Sequence, residues 1–556
     1  MCSRTGSQLG ARGYHVLPEP QRVELTGTDV EFDANWQVTT EGSLTVDDDL
    51  VEVLRECLDE RHCLTVGTRD CGSRGPAIVL VLEPRRTVVE EATDRDTLGL
   101  AAQSYELQAT GDLVRVSAPE RAGLFYGIVT LVQLIRSDQG RLWLPEGVIT
   151  DWPDVGRRHL FWDNSEHLDR LETLKAAVRK AAMYKVNGVV LKLDSHFVYE
   201  SAPALADPNA LMPAELQELT DYAQRYHVQL IPYIDAPGHL AWLLKHPEYR
   251  NLREFADCNY ELCTTDPGSY RLLEGLFDDL LSSNQGVEHF VLSTDEPYYI
   301  GLGRSRARAA ELGSVGKLEA EFVRRAAGYL RDRGRTVQIW GEYPIEREDI
   351  PSLPPYLING VANGPKYDPV YARNGIRQFL YVSTQAELQN FPDYYPADPA
   401  DLINPVGSNC SVAKLHEELS FHPARRQDNV VGVFVAAWAD AGLHPETFWL
   451  GFVCGAAWAW HPGCPEPGDA VERFGRLFYG DGVRDTAAVY ELMSVQAQFF
   501  ESSWDRCDST ARTPIFGGPY EIYDSPRPAK DQSVPLPDLP DRTLSRGSRW
   551  RRTNLR

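Results

Sequence analysis

Two adjacent carboxylates, Asp295 and Glu296, have the residue types needed for acid–base chemistry. They follow the apolar run Phe290-Val291-Leu292, which is typical of a buried strand, and precede Pro297, which cannot continue a central strand. In an α/β barrel the carboxyl ends of the strands form the catalytic face, because the loops leaving them converge there. Carboxyl groups at that face can deliver a proton to a leaving oxygen, whereas a lone Asp-Glu pair is more often a solvated turn.

Acidic and aromatic side chains stand at the ends of the other predicted strands as well. They are Asp163, Asp194, Asp235, Trp340-Gly341-Glu342, Tyr381 and Trp438. Aromatic faces stack on the apolar face of a sugar ring, and carboxylates accept hydrogen bonds from its hydroxyls. This set indicates a carbohydrate pocket, although each Trp could equally fill the barrel or pack on a helix. No Asp-x-Asp-x-Asp loop supports a hard cation, so neither a metal nor another cofactor is predicted.

A (β/α)8 TIM barrel over residues 151–505 would position these side chains. Short apolar runs alternate there with helical periodicity, as expected for an α/β fold. The eight predicted strands are residues 160–163, 188–194, 228–235, 290–292, 336–340, 356–361, 379–382 and 430–436. A doubly wound sheet is the alternative, but no Gly-rich phosphate-binding fingerprint follows the first strand.

The segments on either side of the predicted barrel have different patterns. Residues 1–150 contain strand-like runs at 77–82 and 113–116 and helical periodicity at 51–58 and 122–135, which predicts a small α+β domain. Residues 506–556 are rich in Pro, Arg and Ser and are predicted to form an extended tail.

Composition narrows the class of ligand. The net charge of −24 argues against nucleic acid or an anionic membrane surface as partner, so a neutral or cationic small molecule is expected. The ten cysteines show no C-x-x-C spacing, and no signal peptide or membrane-spanning run is seen. These features predict a cytoplasmic protein with free thiols, and they predict no oligomeric state.

Longer motifs extend the pattern around the strand ends. They are the helix Ala122-Gly123-Leu124-Phe125-Tyr126-Gly127, the segment Asp235-Ala236-Pro237-Gly238-His239, the pair Asp295-Glu296, Trp340-Gly341-Glu342, and Trp438-Ala439-Asp440. From about Tyr14 to about Gly480 the chain resembles glycoside hydrolase family 20, the exo-acting β-N-acetylhexosaminidases. That family has a small α+β domain before a (β/α)8 barrel, which agrees with the predicted fold.

The resemblance implies substrate-assisted hydrolysis, in which the 2-acetamido oxygen of the sugar attacks its own anomeric carbon. It implies that Glu296 is the general acid and base and that Asp295 orients the acetamido group and balances positive charge. His239 would polarise the pair or cap its own loop. The implied substrate-binding residues are Arg158, Asp194, His239, Trp340, Glu342, Tyr381, Trp438 and Asp440, with Arg158 as the first-strand arginine and Tyr381 on the acetamido oxygen.

The chain also departs from the family pattern. Ser293-Thr294 replaces two glycines, Leu191-Lys192-Leu193 replaces a His-containing strand, Ser383 replaces a carboxylate, Asp440 shortens a glutamate, and no Trp occurs near 357–361. These changes affect groups that hold the outer hydroxyls of the sugar, so two alternatives remain open. One is a hydrolase of a modified amino sugar, and the other is a carbohydrate-binding barrel without catalysis.

Overall fold

The computed structural model describes residues 6–70, 74–83, 89–362, 364–384, 392, 394–395, 411–439, 444–502, 511–512 and 534–535. The tail predicted at residues 506–556 lies outside the described residues, apart from two short paired segments at 511–512 and 534–535. Asp440 lies outside them too.

The first domain is a mixed eight-stranded sheet with helices packed against it. Its strands are β1 Arg22–Phe32, β2 Gln37–Gly42, β3 Gly67–Thr68, β4 Ala77–Leu82, β5 Tyr105–Thr110, β6 Leu113–Ala118, β7 Arg136–Asp138 and β8 Arg141–Asp151. The strand order is β1-β8-β5-β6-β4-β2-β3, with β7 paired to β8. Its helices are α1 Gly6–Ala11, α2 Asp49–His62, α3 Thr97–Ala102 and α4 Arg121–Leu134.

The second domain is a closed barrel of eight parallel strands. They are β9 Arg157–Asp163, β10 Gly188–Lys192, β11 Gln229–Asp235, β12 His289–Ser293, β13 Thr336–Gly341, β14 Ile358–Ala362, β15 Arg377–Ser383 and β16 Val430–Ala436. The following helices surround or extend the barrel: α5 Leu171–Ala182, α6 Pro213–Arg225, α7 Ala241–Leu244, α8 Pro267–Ser282, α9 Arg306–Leu312, α10 Val315–Arg331, α11 Asp368–Arg373, α12 Val412–Phe421, α13 Trp449–Trp460, α14 Pro467–Tyr479 and α15 Thr486–Ser502.

The interior of the barrel is filled by side chains rather than open. Inward-facing residues alternate with residues that face the helices, so each strand contributes to both sides. The buried inner cluster includes Phe161, Val190, Ile231, Tyr233, Val291, Trp340, Phe379 and Phe434. A blind pocket above this packed layer is the expected consequence at the carboxyl ends of the strands.

A buried ion pair joins the two domains. The Nζ of Lys185 lies 2.8 Å from Oδ2 of Asp151, and both side chains are fully buried. The Asp151 carboxylate also accepts hydrogen bonds from the hydroxyl of Tyr105 (2.6 Å) and the indole Nε1 of Trp460 (2.9 Å). Because Asp151 ends β8 and Trp460 ends α13, this network fixes the sheet against the barrel.

The predicted fold class, a (β/α)8 barrel after a small α+β domain, is confirmed. Strands β2 and β8 were not predicted, since β2 is mostly polar and the apolar residues of β8 are interrupted by Pro145-Glu146-Gly147. No helix among the described residues is long and apolar enough to cross a membrane. The prediction of free thiols is wrong at Cys464, which forms a disulfide, whereas Cys57, Cys63, Cys258, Cys263 and Cys454 are free.

Candidate active site

The predicted catalytic pair lies at the carboxyl end of β12. Thr294 fixes this strand end to its neighbour β13, because its Oγ1 donates to the carbonyl oxygen of Trp340 (2.6 Å) and accepts from the Trp340 amide (3.2 Å). The backbone then turns sharply, and Glu296 has a φ of +43°. The side chains of Asp295 and Glu296 remain 22% and 35% exposed, so both can reach a ligand above the barrel.

The loop after β11 brings His239 to the pair. The amide of Ala236 donates to the carbonyl oxygen of Ser293 (2.8 Å), which fastens this loop to β12. The Nε2 of His239 is 3.6 Å from Oε2 of Glu296 and 3.9 Å from Oδ2 of Asp295. The close approach depends on Gly238, where a Cβ atom would lie 3.0 Å from the carbonyl oxygen of Asp295.

Asp295 is held in an electronegative setting. Burial raises the pKa of its carboxyl well above the usual range, and a hydrogen bond to Glu342 and the charges of Glu342, Glu296 and Asp235 raise it further. Glu296 has a hydrogen bond with Tyr298 on its other side. The pair is therefore supported by a third carboxyl group from β13, and Asp295 retains a proton to higher pH than an ordinary aspartate.

A lysine surrounded by acids forms one wall of the site. Lys192 ends β10, in register with Asp163 and Tyr233, and its Nζ lies 3.1 Å from Oδ2 of Asp235 and 3.7 Å from Oδ2 of Asp194. The hydroxyl of Tyr233 donates to the other oxygen of Asp235 (2.6 Å). Burial raises the pKa of Asp194 to about 8 despite the opposing charge of Lys192. Asp194 is thus a proton donor at neutral pH, able to bond a sugar oxygen.

Aromatic side chains continue this wall, since the Nζ of Lys192 lies 5.7 Å from the ring centroid of Trp438. The indole Nε1 of Trp438 donates to the hydroxyl of Tyr381 (2.8 Å), which orients both residues. Trp438 also packs against Phe161, with ring centroids 4.3 Å apart. Trp340 contacts Tyr381 edge to face at 6.0 Å, but it is only 2% exposed and belongs to the inner layer of the barrel. Trp438 and Tyr381 are therefore available to a ligand, while Trp340 supports them from below.

Arg158 does not join the other predicted residues, and its expected contact with sugar hydroxyls is corrected. It lies near the beginning of β9, five residues before Asp163, a distance of roughly 16 Å along a strand. Its guanidinium is buried and donates to the carbonyl oxygens of Lys185 and Val155 and to the side chain of Gln103. Arg158 fastens the first domain to the bottom of the barrel.

The structure thus brings together Asp194, His239, Asp295, Glu296, Trp340, Glu342, Tyr381 and Trp438, while Asp440 lies outside the described residues. Asp163 serves its own loops, since its carboxylate accepts from the amide and hydroxyl of Ser165 and the amide of Ala439. The sequence analysis did not assign Lys192 to the site. Its register next to Asp163 would have revealed it once the barrel was assumed. No group of acidic, His or Cys side chains in the described ranges could hold a metal ion.

A closed barrel with a packed interior, a pair of carboxyl groups at the strand ends and an aromatic wall define a glycoside hydrolase. The domain-2 model of glycosyl hydrolase family 20 matches residues 13–152, and the catalytic-domain model of the same family matches residues 158–442. The chain therefore belongs to glycoside hydrolase family 20. It is a β-N-acetylhexosaminidase of the family whose characteristic mechanism is retaining and substrate-assisted.

Similar proteins agree with this assignment. The chain is 23% identical to a β-hexosaminidase of Vibrio furnissii over 473 residues, which span 76% of this chain and 72% of the relative. It is 27% identical to hexosaminidase D of Homo sapiens over 161 residues, or 28% of this chain and 33% of that protein. The solved β-N-acetylhexosaminidase of Streptomyces coelicolor A3(2) has the same fold, with a TM-score of 0.65, 18% identity, and coverage of 84% of this chain and 96% of that one.

Proposed function

We propose that Asp295 and Glu296 catalyse hydrolysis of terminal, non-reducing N-acetyl-β-hexosaminyl residues. The observation that carries this proposal is the position of the two carboxyl groups, with His239 within 4 Å, above a barrel that is filled by Trp340 and Phe434. A pocket closed at its base accepts the end of a glycan and not an internal unit. This geometry supports exo action.

In the first step the acetamido oxygen of the substrate attacks the anomeric carbon, and the bond from that carbon to the glycosidic oxygen breaks. Glu296 gives its proton to the departing oxygen. Asp295 accepts a hydrogen bond from the acetamido N–H, and this bond orients the attacking carbonyl. The Asp295 carboxylate also balances the positive charge that develops on the oxazolinium ring.

In the second step the Glu296 carboxylate takes a proton from water, and the water oxygen attacks the anomeric carbon. The bond between that carbon and the acetamido oxygen breaks, which restores the N-acetyl group and regenerates the acid. Two inversions leave the product in the β configuration. The retained configuration follows from the two displacements, and the requirement for the acetamido group identifies the substrate as the source of the nucleophile.

The walls of the pocket supply the contacts to the rest of the sugar. We assign the protonated Asp194 and the ammonium of Lys192 to sugar hydroxyls, since both lie beside Asp235 at the carboxyl ends of β10 and β11. Trp438 stacks on the ring, and Tyr381 directs its hydroxyl at the acetamido oxygen. These roles rest on position next to the catalytic pair.

Three measurements together test this function. Rates are compared on aryl β-N-acetylglucosaminide and aryl β-glucoside, the first-formed anomer is identified by NMR, and Asp295→Asn is assayed on the N-acetyl substrate. We expect a large loss without the acetamido group, a β product, and a fall in kcat of roughly 10²–10³-fold for Asp295→Asn. Comparable rates on the two sugars would mean that the enzyme has a nucleophile of its own, and an α product would mean that water displaces the leaving group directly.

A modified amino sugar is the second candidate substrate. The observation that favours it is Lys192, a cation placed in the wall next to Asp194 and Asp235, together with Ser383 at the end of β15. A screen of aryl glycosides with altered outer hydroxyls would reveal such a preference as a higher kcat/KM than on N-acetylglucosaminide. Cytoplasmic localisation stays a prediction, and the disulfide at Cys464 counts against it because cytosolic disulfides are rare.

A further inference from the structure

Tyr260 contacts both His239 and Glu296 from the buried side of the catalytic site. Its side chain is completely buried, in the segment between α7 and α8. The hydroxyl donates to the backbone carbonyl oxygen of Glu296 (2.9 Å) and lies 3.2 Å from Nε2 of His239. The ring is held in place by stacking on Tyr298, with centroids 6.1 Å apart and an interplanar angle of 12°.

The hydrogen count at this hydroxyl fixes the hydrogen position on His239. A tyrosine hydroxyl has one hydrogen, and a carbonyl oxygen can only accept. The hydrogen of Tyr260 is therefore used in the bond to Glu296, and its oxygen faces His239 as an acceptor. A short contact between that oxygen and Nε2 requires a hydrogen on Nε2, whether the imidazole is neutral or protonated.

We propose that Tyr260 is a positioning residue that holds neutral His239 as its Nε2–H tautomer and pins the backbone of Glu296. The Nε2–H donates to the Tyr260 oxygen, and its positive hydrogen also lies near Oε2 of Glu296 and Oδ2 of Asp295, which are 3.6 and 3.9 Å from Nε2. The other tautomer would present a lone pair to both carboxylates. The proposal rests on the acid–base roles proposed above for the pair.

The same bond stabilises an unfavourable backbone conformation. Glu296 has a φ of +43°, a region that non-glycine residues adopt at a cost and that persists only where neighbouring contacts hold it. The hydrogen bond from Tyr260 to the Glu296 carbonyl is one such contact. Tyr260 thereby sets both the direction of the Glu296 side chain and the charge distribution that faces it.

Tyr260→Phe removes only the oxygen and its hydrogen. We expect kcat to fall roughly tenfold to hundredfold, the size of two lost hydrogen bonds between neutral groups, while KM changes less than about threefold. Without a fixed Nε2–H the two carboxylates are harder to ionise, so both limbs of the pH profile of kcat/KM should move to higher pH. The matched control is Tyr270→Phe, since Tyr270 is also buried and donates to a backbone carbonyl, that of Thr264 (2.8 Å).

A second measurement is made on the wild-type enzyme. Nitrogen NMR of the wild-type enzyme labelled on histidine rings, with the His239 signals assigned by their loss in His239→Asn, reports which ring nitrogen carries hydrogen. We expect Nε2 to be protonated throughout the active pH range. An unprotonated Nε2, or a Tyr260→Phe profile equal to that of Tyr270→Phe, overturns the proposal. Failure of the proposed function would be distinct, because the wild-type enzyme itself would then lack activity on N-acetylhexosaminides.

Discussion

The acid role proposed for Glu296 can be tested by varying the leaving group. An acid catalyst contributes in proportion to the need of the departing oxygen for a proton. Glu296→Gln should therefore lose roughly 10²–10⁴-fold in kcat on glycosides with poor leaving groups, and far less on activated aryl glycosides. Steady-state kinetics on an aryl series with graded leaving groups measures this difference. Equal losses across the series would remove Glu296 from the acid role.

Glu342 contributes to the raised pKa of Asp295. Burial is the first cause of the raised pKa of Asp295, and the hydrogen bond and charge of Glu342 follow. Glu342→Gln removes that charge, so Asp295 should ionise at lower pH. Because catalysis requires the carboxylate, the acidic limb of the kcat/KM profile should move to lower pH.

The matched control for Glu342 is Glu348→Gln, since Glu348 is exposed and lies a short distance along the same loop. Its profile should coincide with that of the wild-type enzyme. If the acidic limb of Glu342→Gln stays in place or moves to higher pH, Glu342 does not raise the pKa of Asp295 in solution.

The two loops that follow β11 and β12 pack so closely that a displacement of one should displace the other. A Cβ atom at Gly238 would lie 3.0 Å from the carbonyl oxygen of Asp295 and 3.4 Å from that of Glu296. Gly238→Ala should displace the pair by a few tenths of an ångström. We expect kcat to fall roughly tenfold, as misplaced catalytic groups lose effective concentration, with little change in the melting temperature.

Gly328→Ala is a control for the substitution itself. Gly328 lies within α10, where the nearest atom to an added Cβ is the hydroxyl oxygen of Tyr356 at 3.9 Å. This variant should keep its activity and gain up to about 1 kcal/mol of helix stability. Unchanged kcat in Gly238→Ala would show that the two loops move independently.

The strands that could be predicted from the sequence are those composed almost entirely of apolar residues. Val430–Ala436 and Ala77–Leu82 are apolar throughout because both faces are covered, and both were predicted as strands. Strand β8 has Gly147 and Pro145 among mixed residues and was missed, since it is recognised by its partners β1 and β5. A local run of apolar residues indicates burial, whereas the pairing of a strand depends on segments that are distant in the sequence.

The site residues that could be predicted are likewise those next to a recognisable apolar strand. Asp295 and Glu296 directly follow an apolar run, so their place at a strand end could be derived. Arg158 was misplaced because its role came from the resemblance alone, although five residues separate it from Asp163 at the carboxyl end of β9. Lys192 and Tyr260 were missed because their partners, Asp235 and the Glu296 carbonyl, become neighbours only when the barrel closes.

Lys185 joins the two domains through its buried ion pair with Asp151. Removing one member of a buried ion pair leaves an uncompensated charge, which typically costs about 3–5 kcal/mol. Lys185→Met should therefore lower the free energy of unfolding by about that amount and leave Asp151 without its cation. Denaturant unfolding measures the change.

Lys414→Met gives the surface reference for this comparison. Lys414 pairs with Glu417 and Glu418 on α12 with its side chain 38% exposed, and such pairs contribute less than about 1 kcal/mol. If the free energy of unfolding falls equally little in both variants, apolar contacts can replace the buried ion pair. The domains are then held together by packing alone.

The acidic wall described above also bears on inhibition. Asp235, Glu296 and Glu342 act on Asp295 with their negative charges, and Lys192 is the cation that the described part of the wall sets against them. Such a field concentrates cations and repels anions in a cleft with a low dielectric constant. An iminosugar with a protonated ring nitrogen should therefore bind more tightly than an uncharged lactam of the same shape, and sulfation of the sugar should weaken the binding of either.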